Sequence, residues 1–221
     1  EYSDDINLAG QAHAAMVRSP HAHAEIRSID VSAATAVPGV LAVLTGADYG
    51  ADGIGDLGHV ANPAGAEDWQ TPAFVNRDGS VPFDAPQPPI VPGRIRHAGE
   101  IVAVVIAETG AAARDAVDLV AVDYETLPVV TDALAAIEPD APPVWDDCAE
   151  NTPLDAEMGD KAATDAVFAT AAHVVEARLF NNRVINCQME PRAAIGDWDA
   201  TDGKLTLHAG GQGVHRHKMI L

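Results

Sequence analysis

The residue types best suited to chemistry in this sequence sit near its end. Gly210-Gly211-Gln212-Gly213 sets one amide side chain among glycines. Flanking residues without a Cβ let the backbone approach a ligand, and an amide N–H can donate a hydrogen bond without titrating. A helix starting after the turn would also favour an anion. The spacing matches neither a P-loop nor a dinucleotide fingerprint, and on periodicity alone it reads as a strand-to-helix turn. His21-Ala22-His23 and His215-Arg216-His217 each put two imidazoles one residue apart. Two ligands without a third make a poor metal site, so both pairs are read as polar surface histidines. The adjacent carboxylates Asp4/Asp5 and Asp146/Asp147 are assigned to solvated surface. General acid–base work needs a fixed separation and environments that drive two pKa values apart, and adjacency supplies neither. Cys148 and Cys187 stand alone, without CxxC or zinc spacing; they read as ordinary buried thiols of a reducing compartment.

The elements that must position these residues follow from periodicity. Residues 13–18 and 24–30 alternate as half-buried strands on either side of a turn at Ser19-Pro20-His21-Ala22-His23. Ser32 is expected to cap a short helix through Val37, ended by Pro38-Gly39, with a strand at 40–44 and a turn at Gly46. Residues 49–93 hold many prolines and glycines and little apolar periodicity, so they are expected to be a long loop. The apolar run 101–107 predicts a buried strand, followed by a helix over 111–119 behind Thr109 or Gly110 and a strand over 120–125. Pro139, Pro142, Pro143 and Pro153, among acidic residues, mark a linker. Beyond it the pattern predicts a helix at 162–172, strands at 173–180, 193–198 and 204–209, a hairpin turn at Thr201-Asp202-Gly203, and a helix that includes Leu221. The expected domains are therefore 1–135 and 153–221, joined by 136–152.

Composition narrows the function classes. The 221 residues can form one large or two smaller domains, and 48% hydrophobic content with near-zero mean hydropathy predicts a soluble, globular chain. The balance of 33 acidic against 13 basic residues gives a formal charge of −20. That field repels a phosphate backbone, so nucleic-acid binding is not expected. A solvated acidic surface accounts for it, with a docking face for a basic partner as the alternative. No run approaches the roughly 18 apolar residues of a membrane span, and the acidic start lacks the features of a signal peptide, so a cytoplasmic location is expected.

Several segments together resemble the large subunits of the molybdenum hydroxylases: xanthine dehydrogenases, aldehyde oxidases and the aerobic carbon monoxide dehydrogenases. They are Met16-Val17-Arg18-Ser19-Pro20-His21-Ala22-His23-Ala24, Ile29-Asp30-Val31-Ser32, Pro38-Gly39-Val40, His97-Ala98-Gly99-Glu100, Val122-Asp123-Tyr124-Glu125 with Leu127-Pro128, and then Gly159-Asp160, Asn182-Arg183, Met189-Glu190-Pro191-Arg192 and Gln212-Gly213. The set spans nearly the whole chain in family order. It implies an α+β fold: an α/β hammerhead domain followed by the first, incomplete part of a mixed α/β molybdopterin-binding domain.

The resemblance also implies a function and a site. The parent protein would hydroxylate an aldehyde, an N-heterocycle or a similar small molecule with oxygen from water. It would carry a molybdenum–molybdopterin cofactor in the cytosine dinucleotide form. Electrons would pass to [2Fe-2S] clusters and FAD on an iron–sulfur small subunit and an FAD-binding medium subunit, in a multi-subunit assembly. Two isolated cysteines cannot hold such clusters here. Gln212, flanked by Gly211 and Gly213, matches the family glutamine that hydrogen-bonds an oxo ligand of molybdenum, and no protein ligand to the metal is expected. Glu190 is read as structural. The family's general-base glutamate and most of its pterin contacts would lie beyond Leu221, so the chain is expected to be an N-terminal fragment, inactive in isolation. The alternative is a non-catalytic module that folds and packs against partners.

Overall fold

The computed structural model describes residues 2–57, 75–182, 184–185, 187–211 and 213–221, with the backbone alone for Arg216 and Met219. It has mixed helix and strand content and divides into two compact units, Gly10–Ala156 and a smaller one formed by Glu1–Ala9 with Glu157–Leu221.

The larger unit contains two three-stranded antiparallel sheets among the described residues. Strands β1 (His13–Arg18), β2 (Ala24–Asp30), β3 (Val40–Thr45), β4 (Arg94–Ile95), β5 (Ile101–Ala107) and β6 (Ala121–Thr126) pair in the orders β1-β5-β3 and β4-β2-β6. The apolar run at 101–107 becomes the central strand of the first sheet because it can be covered on both faces. Val102 and Val105 are fully buried, and Ile101, Val104 and Ile106 are half-buried. With Ile95, these valines anchor a core that includes Val17, Ala24, Ala34, Val91 and Ala116. Each fully buried aliphatic side chain contributes about 1.5–3 kcal/mol.

Helices α1 (Ser32–Thr35), α2 (Gly46–Ala51) and α3 (Gly110–Val117) connect these strands. Ser32 is the first helical residue of α1 rather than its cap. Its N–H and hydroxyl both donate to the Asp30 carboxylate, at 2.9 and 2.6 Å. Where a turn was expected at Gly46, the chain forms α2. Thr45 is its N-cap, Asp48 accepts from the Thr45 N–H at 2.8 Å, and the Asp48 N–H faces the Thr45 hydroxyl at 3.5 Å. Thr109 caps α3, accepting from the Ala112 N–H at 3.1 Å. Gly46 has no room for a side chain: a Cβ there would lie 2.5 Å from the Val91 carbonyl oxygen and from Pro92 Cα. Of the loop expected over 49–93, residues 49–51 belong to α2 instead, 52–57 and 75–93 carry no helix or strand, and 58–74 lie outside the described residues.

Residues 136–152, expected as a linker, hold a hydrogen-bond network. The Asn151 side chain accepts from the Val144 N–H at 2.8 Å and donates to the carbonyls of Ala136 and Pro142 at 3.0 and 3.1 Å. Trp145 packs beneath the Arg96 guanidinium, 3.5 Å from the ring centre, and tilts against Phe83.

The smaller unit comprises a 3-10 turn at Ser3–Asp5, helix α4 (Lys161–Thr170), strands β7 (Ala194–Asp199) and β8 (Lys204–Ala209) paired antiparallel in one hairpin, and helix α5 (Val214–Ile220). Asp160 caps α4, accepting from the Ala163 N–H at 2.8 Å, and Gly159 before it has φ 103°. The strand expected at 173–180 is not formed. The alternation is present, but no described strand pairs with it, and Val174, Val175, Leu179 and Phe180 are all exposed. An extended segment without a ladder partner has nothing to fix its backbone.

Candidate functional site

In the hairpin, register decides which side chains share a face. Ile195 faces His208 and Asp197 faces Thr206, and of these Ile195, Thr206 and His208 are half-buried. On the other face Trp198 lies opposite Leu205 and Gly196 opposite Leu207, all exposed. Strand β8 delivers the chain into Gly210-Gly211, and α5 starts immediately after Gly213. The sequence thus forms the strand–turn–helix anticipated around Gln212, while Gln212 itself lies outside the described residues, as do Arg183 and Asn186.

The glycines of this turn have different physical reasons. Gly213 has φ 84°, in the left-handed region that disfavours side chains. A Cβ on Gly210 would lie 2.9 Å from Glu190 Oε1 and 3.1 Å from its Cδ and Oε2, so the carboxylate fills that space. A Cβ on Gly211 would collide with Cε1 of His217, whose ring folds back from α5. Glu190 is itself held: the N–H and the hydroxyl of Ser3 both donate to its Oε1 at 3.1 Å. The structural role read for Glu190 in the sequence is therefore visible as hydrogen bonds. Ser3 was missed, because 187 positions separate it from its partner and a serine near an N-terminus carries no local signal.

The other sequence candidates are placed as follows. His21 stacks edge-on against Tyr124, with ring centres 4.8 Å apart. His23 donates from Nδ1 to the Pro128 carbonyl at 2.7 Å, which leaves Nε2 as its buried acceptor nitrogen. The imidazoles of this pair are thus engaged separately. The nearby family-like segments meet through the backbone. Ser19 N–H donates to Glu100 O at 2.9 Å, Gly99 N–H to Ser19 O at 2.8 Å, and Leu127 N–H to His23 O at 3.0 Å. The Glu100 carboxylate closes the turn by accepting from the Arg96 N–H at 2.6 Å. These segments build a junction between strands rather than a reactive centre.

Carboxylates are likewise engaged with neighbours. Arg94 bridges Glu25 at 2.5 Å and Asp146 at 2.9 Å, and those partners, Glu25 first, raise its pKa above the ordinary value. Burial lowers the pKa of Arg96, the cation over Trp145. Asp5 accepts from the Tyr2 N–H at 2.8 Å. Neither cysteine is the buried thiol expected: Cys148 is half-buried and Cys187 exposed, and both are free.

What the turn presents is suited to hydrogen bonding rather than to direct metal ligation. Gly210, Gly211 and Gly213 are exposed, with backbone accessible beside Gln212, and no group of three or more His, Cys, Asp or Glu converges among the described residues. A cofactor that supplies its own metal ligands and takes donors from the protein fits this surface.

The two units, in this order along the chain, match the molybdenum hydroxylase large chains. Two family models match in chain order: "aldehyde oxidase and xanthine dehydrogenase, a/b hammerhead domain" over residues 1–69 and 65–128, and "molybdopterin cofactor-binding domain" over 144–221. The chain belongs to this family. It is 35% identical over 226 residues to the carbon monoxide dehydrogenase large chain of Hydrogenophaga pseudoflava, covering 97% of this chain and 25% of that one. It is 36% identical over 223 residues to the nicotine 6-hydroxylase large subunit of Paenarthrobacter nicotinovorans, covering 100% and 25%. The crystal structure of a Cu,Mo-CO dehydrogenase in its carbon monoxide-reduced state superposes with a TM-score of 0.79 at 32% identity, over 100% of this chain and 26% of that one. The chain thus spans about a quarter of the length of these relatives.

Proposed function

We propose that the complete protein is the molybdenum-binding large subunit of a hydroxylase acting on an aldehyde, an N-heterocycle or a similar small molecule. The observation that carries this reading is the ordered pair of family matches across residues 1–128 and 144–221. The cofactor would be molybdenum–molybdopterin in its cytosine dinucleotide form. When bound, it supplies two-electron oxidation with oxygen drawn from water. The iron–sulfur and FAD-binding subunits would carry the electrons onward.

The chain's own contribution is positioning. Gln212 would hydrogen-bond the cofactor through its amide, which stays neutral at any working pH and so holds one donor state. Gly211 and Gly213 let the backbone approach on either side. As an isolated 221-residue chain, the protein would instead be a folding and interaction module without activity of its own. The exposed apolar side chains of the smaller unit, Leu179 and Phe180 among them, favour that reading.

The test uses the complete multi-subunit protein. Elemental analysis should find stoichiometric molybdenum, and hydrolysis of the extracted cofactor should release cytidine monophosphate. Gln212→Ala should lower turnover by about 100-fold, the usual cost of one donor aimed at a reacting centre. A complex purified from molybdenum-replete cells that contains no molybdenum defeats the functional reading. Unchanged turnover at a normal molybdenum load removes Gln212 from the site.

A further inference from the structure

The smaller unit buries little. Among its described residues Ser3 alone is buried; Ile6, Leu8, Glu190, Ala193, Ile195, Thr206, His208 and His217 are half-buried. Ser3 gives both of its donors to one oxygen of Glu190. The Glu190 carboxylate then occupies the space where a side chain on Gly210 would stand, and His217 occupies the equivalent space at Gly211. Two successive residues of the turn are therefore packed by side chains from opposite directions in sequence, one from before β7 and one from α5.

We propose that Glu190 is a positioning residue, locked by Ser3, whose carboxylate packs against Gly210 and fixes the course of the turn that carries Gln212. The N-terminal turn Ser3–Asp5 is thereby part of the scaffold of the cofactor-side loop. The proposal rests on the reading of Gln212 given above, but the clasp itself does not. A glutamate that merely solubilised the surface would not receive two bonds from a buried serine. Because both donors converge on Oε1, a neutral amide oxygen at position 190 can accept them equally well. The clasp needs an acceptor of glutamate's length rather than a charge.

The experiment uses the complete large subunit within its complex, prepared with and without cofactor. Hydrogen–deuterium exchange is followed on peptides covering 205–217, which hold the β8 ladder amides and the first hydrogen-bonded amide of α5. Peptides covering 101–107 serve as the internal reference. Glu190→Ala is expected to speed exchange around the turn by about tenfold in the cofactor-free protein. Ser3→Ala, which keeps the backbone donor, should give about threefold, and Glu190→Gln should restore the parent rate. Parent-like exchange in Glu190→Ala, or exchange in Glu190→Gln as fast as in Glu190→Ala, overturns the clasp. If Glu190→Ala does not fold, Ser3→Ala decides, and a parent-like rate there overturns it. In the loaded protein, the molybdenum(V) paramagnetic resonance signal separates the two readings. Faster exchange with an altered signal supports both. Faster exchange with unchanged signal and turnover leaves the clasp standing and removes Gln212 from the cofactor site.

Discussion

At the scale of single residues, glycines show how differently the same residue type can be required. Gly46 faces backbone: a methyl group there meets the Val91 carbonyl oxygen and Pro92 Cα at 2.5 Å, and neither can rotate away. Gly210 and Gly211 face side chains instead, Glu190 held by Ser3 and His217 from α5. Gly46→Ala should therefore destabilise the larger unit by about 1–3 kcal/mol, the range for forcing extra volume into a packed site. Urea denaturation followed by far-ultraviolet circular dichroism measures it, and a midpoint equal to the parent's would show that the 91–92 segment yields freely. The sequence made the Gly210–Gly213 turn legible, because glycines clustered after an alternating strand are a local signal. It could not show why each glycine is there, since Glu190, Ser3 and His217 act across chain separations that periodicity does not see. The His21/His23 pair teaches the same lesson: spacing made it a candidate, and a ring contact to Tyr124 and a carbonyl bond at Pro128 account for it.

At the scale of elements, short side-chain bonds from aspartates set the ends of helices and turns. Asp48 is bound by Thr45, Asp30 by Ser32, Asp78 by Ser80 and Asp199 by Thr201, and in each case those bonds lower the carboxylate's pKa below its ordinary value. The larger contribution comes from the side-chain bond for Asp48 and Asp30, and from the backbone N–H of the partner for Asp78 and Asp199. A lowered folded-state pKa means stability that is present above the unfolded value, about 3.9, and lost as pH falls through the lower folded value. These caps should therefore contribute fully from neutral pH down to about pH 5 and fail below about pH 4. Thermal unfolding against pH checks this with Asp48→Asn, whose acid limb should be shallower than the parent's. Identical acid limbs would show that Asp48 contributes no linkage. The caps also mark what sequence reading could reach. Thr109 before α3 was legible because a clear apolar helix pattern followed it. Thr45 before α2 was not, because six residues rich in glycine and alanine give little pattern, and the Thr45–Asp48 box was the only signal. The strand expected at 173–180 failed for the opposite reason: alternation was present, but a strand also needs a neighbour.

At the scale of the whole molecule, the two units differ in how much they satisfy themselves. The larger has a closed core of buried valines, isoleucines and alanines around β5. The smaller leaves Val175, Leu179, Phe180, Ile185 and Met189 each more than 70% exposed, and its one hairpin shows an uncovered face at Trp198, Leu205 and Leu207. A single two-stranded hairpin is marginal in water, and large apolar exposure weakens a unit's local stability. The α+β class and the order of the two parts were legible because apolar runs and family-like segments follow the chain. This imbalance was not, because burial depends on what lies across from a residue. Dilute trypsin and chymotrypsin should therefore cut the 221-residue chain first between residues 171 and 193, leaving Gly10–Ala156 as a resistant product. That product, expressed alone, should unfold in one cooperative transition, whereas the full 221 residues should bind a hydrophobic dye such as anilinonaphthalene sulfonate already under native conditions. Cleavage that begins inside 94–126, or equal dye binding by the two proteins, would place the weak part of the molecule in the larger unit and reverse the ranking drawn from burial.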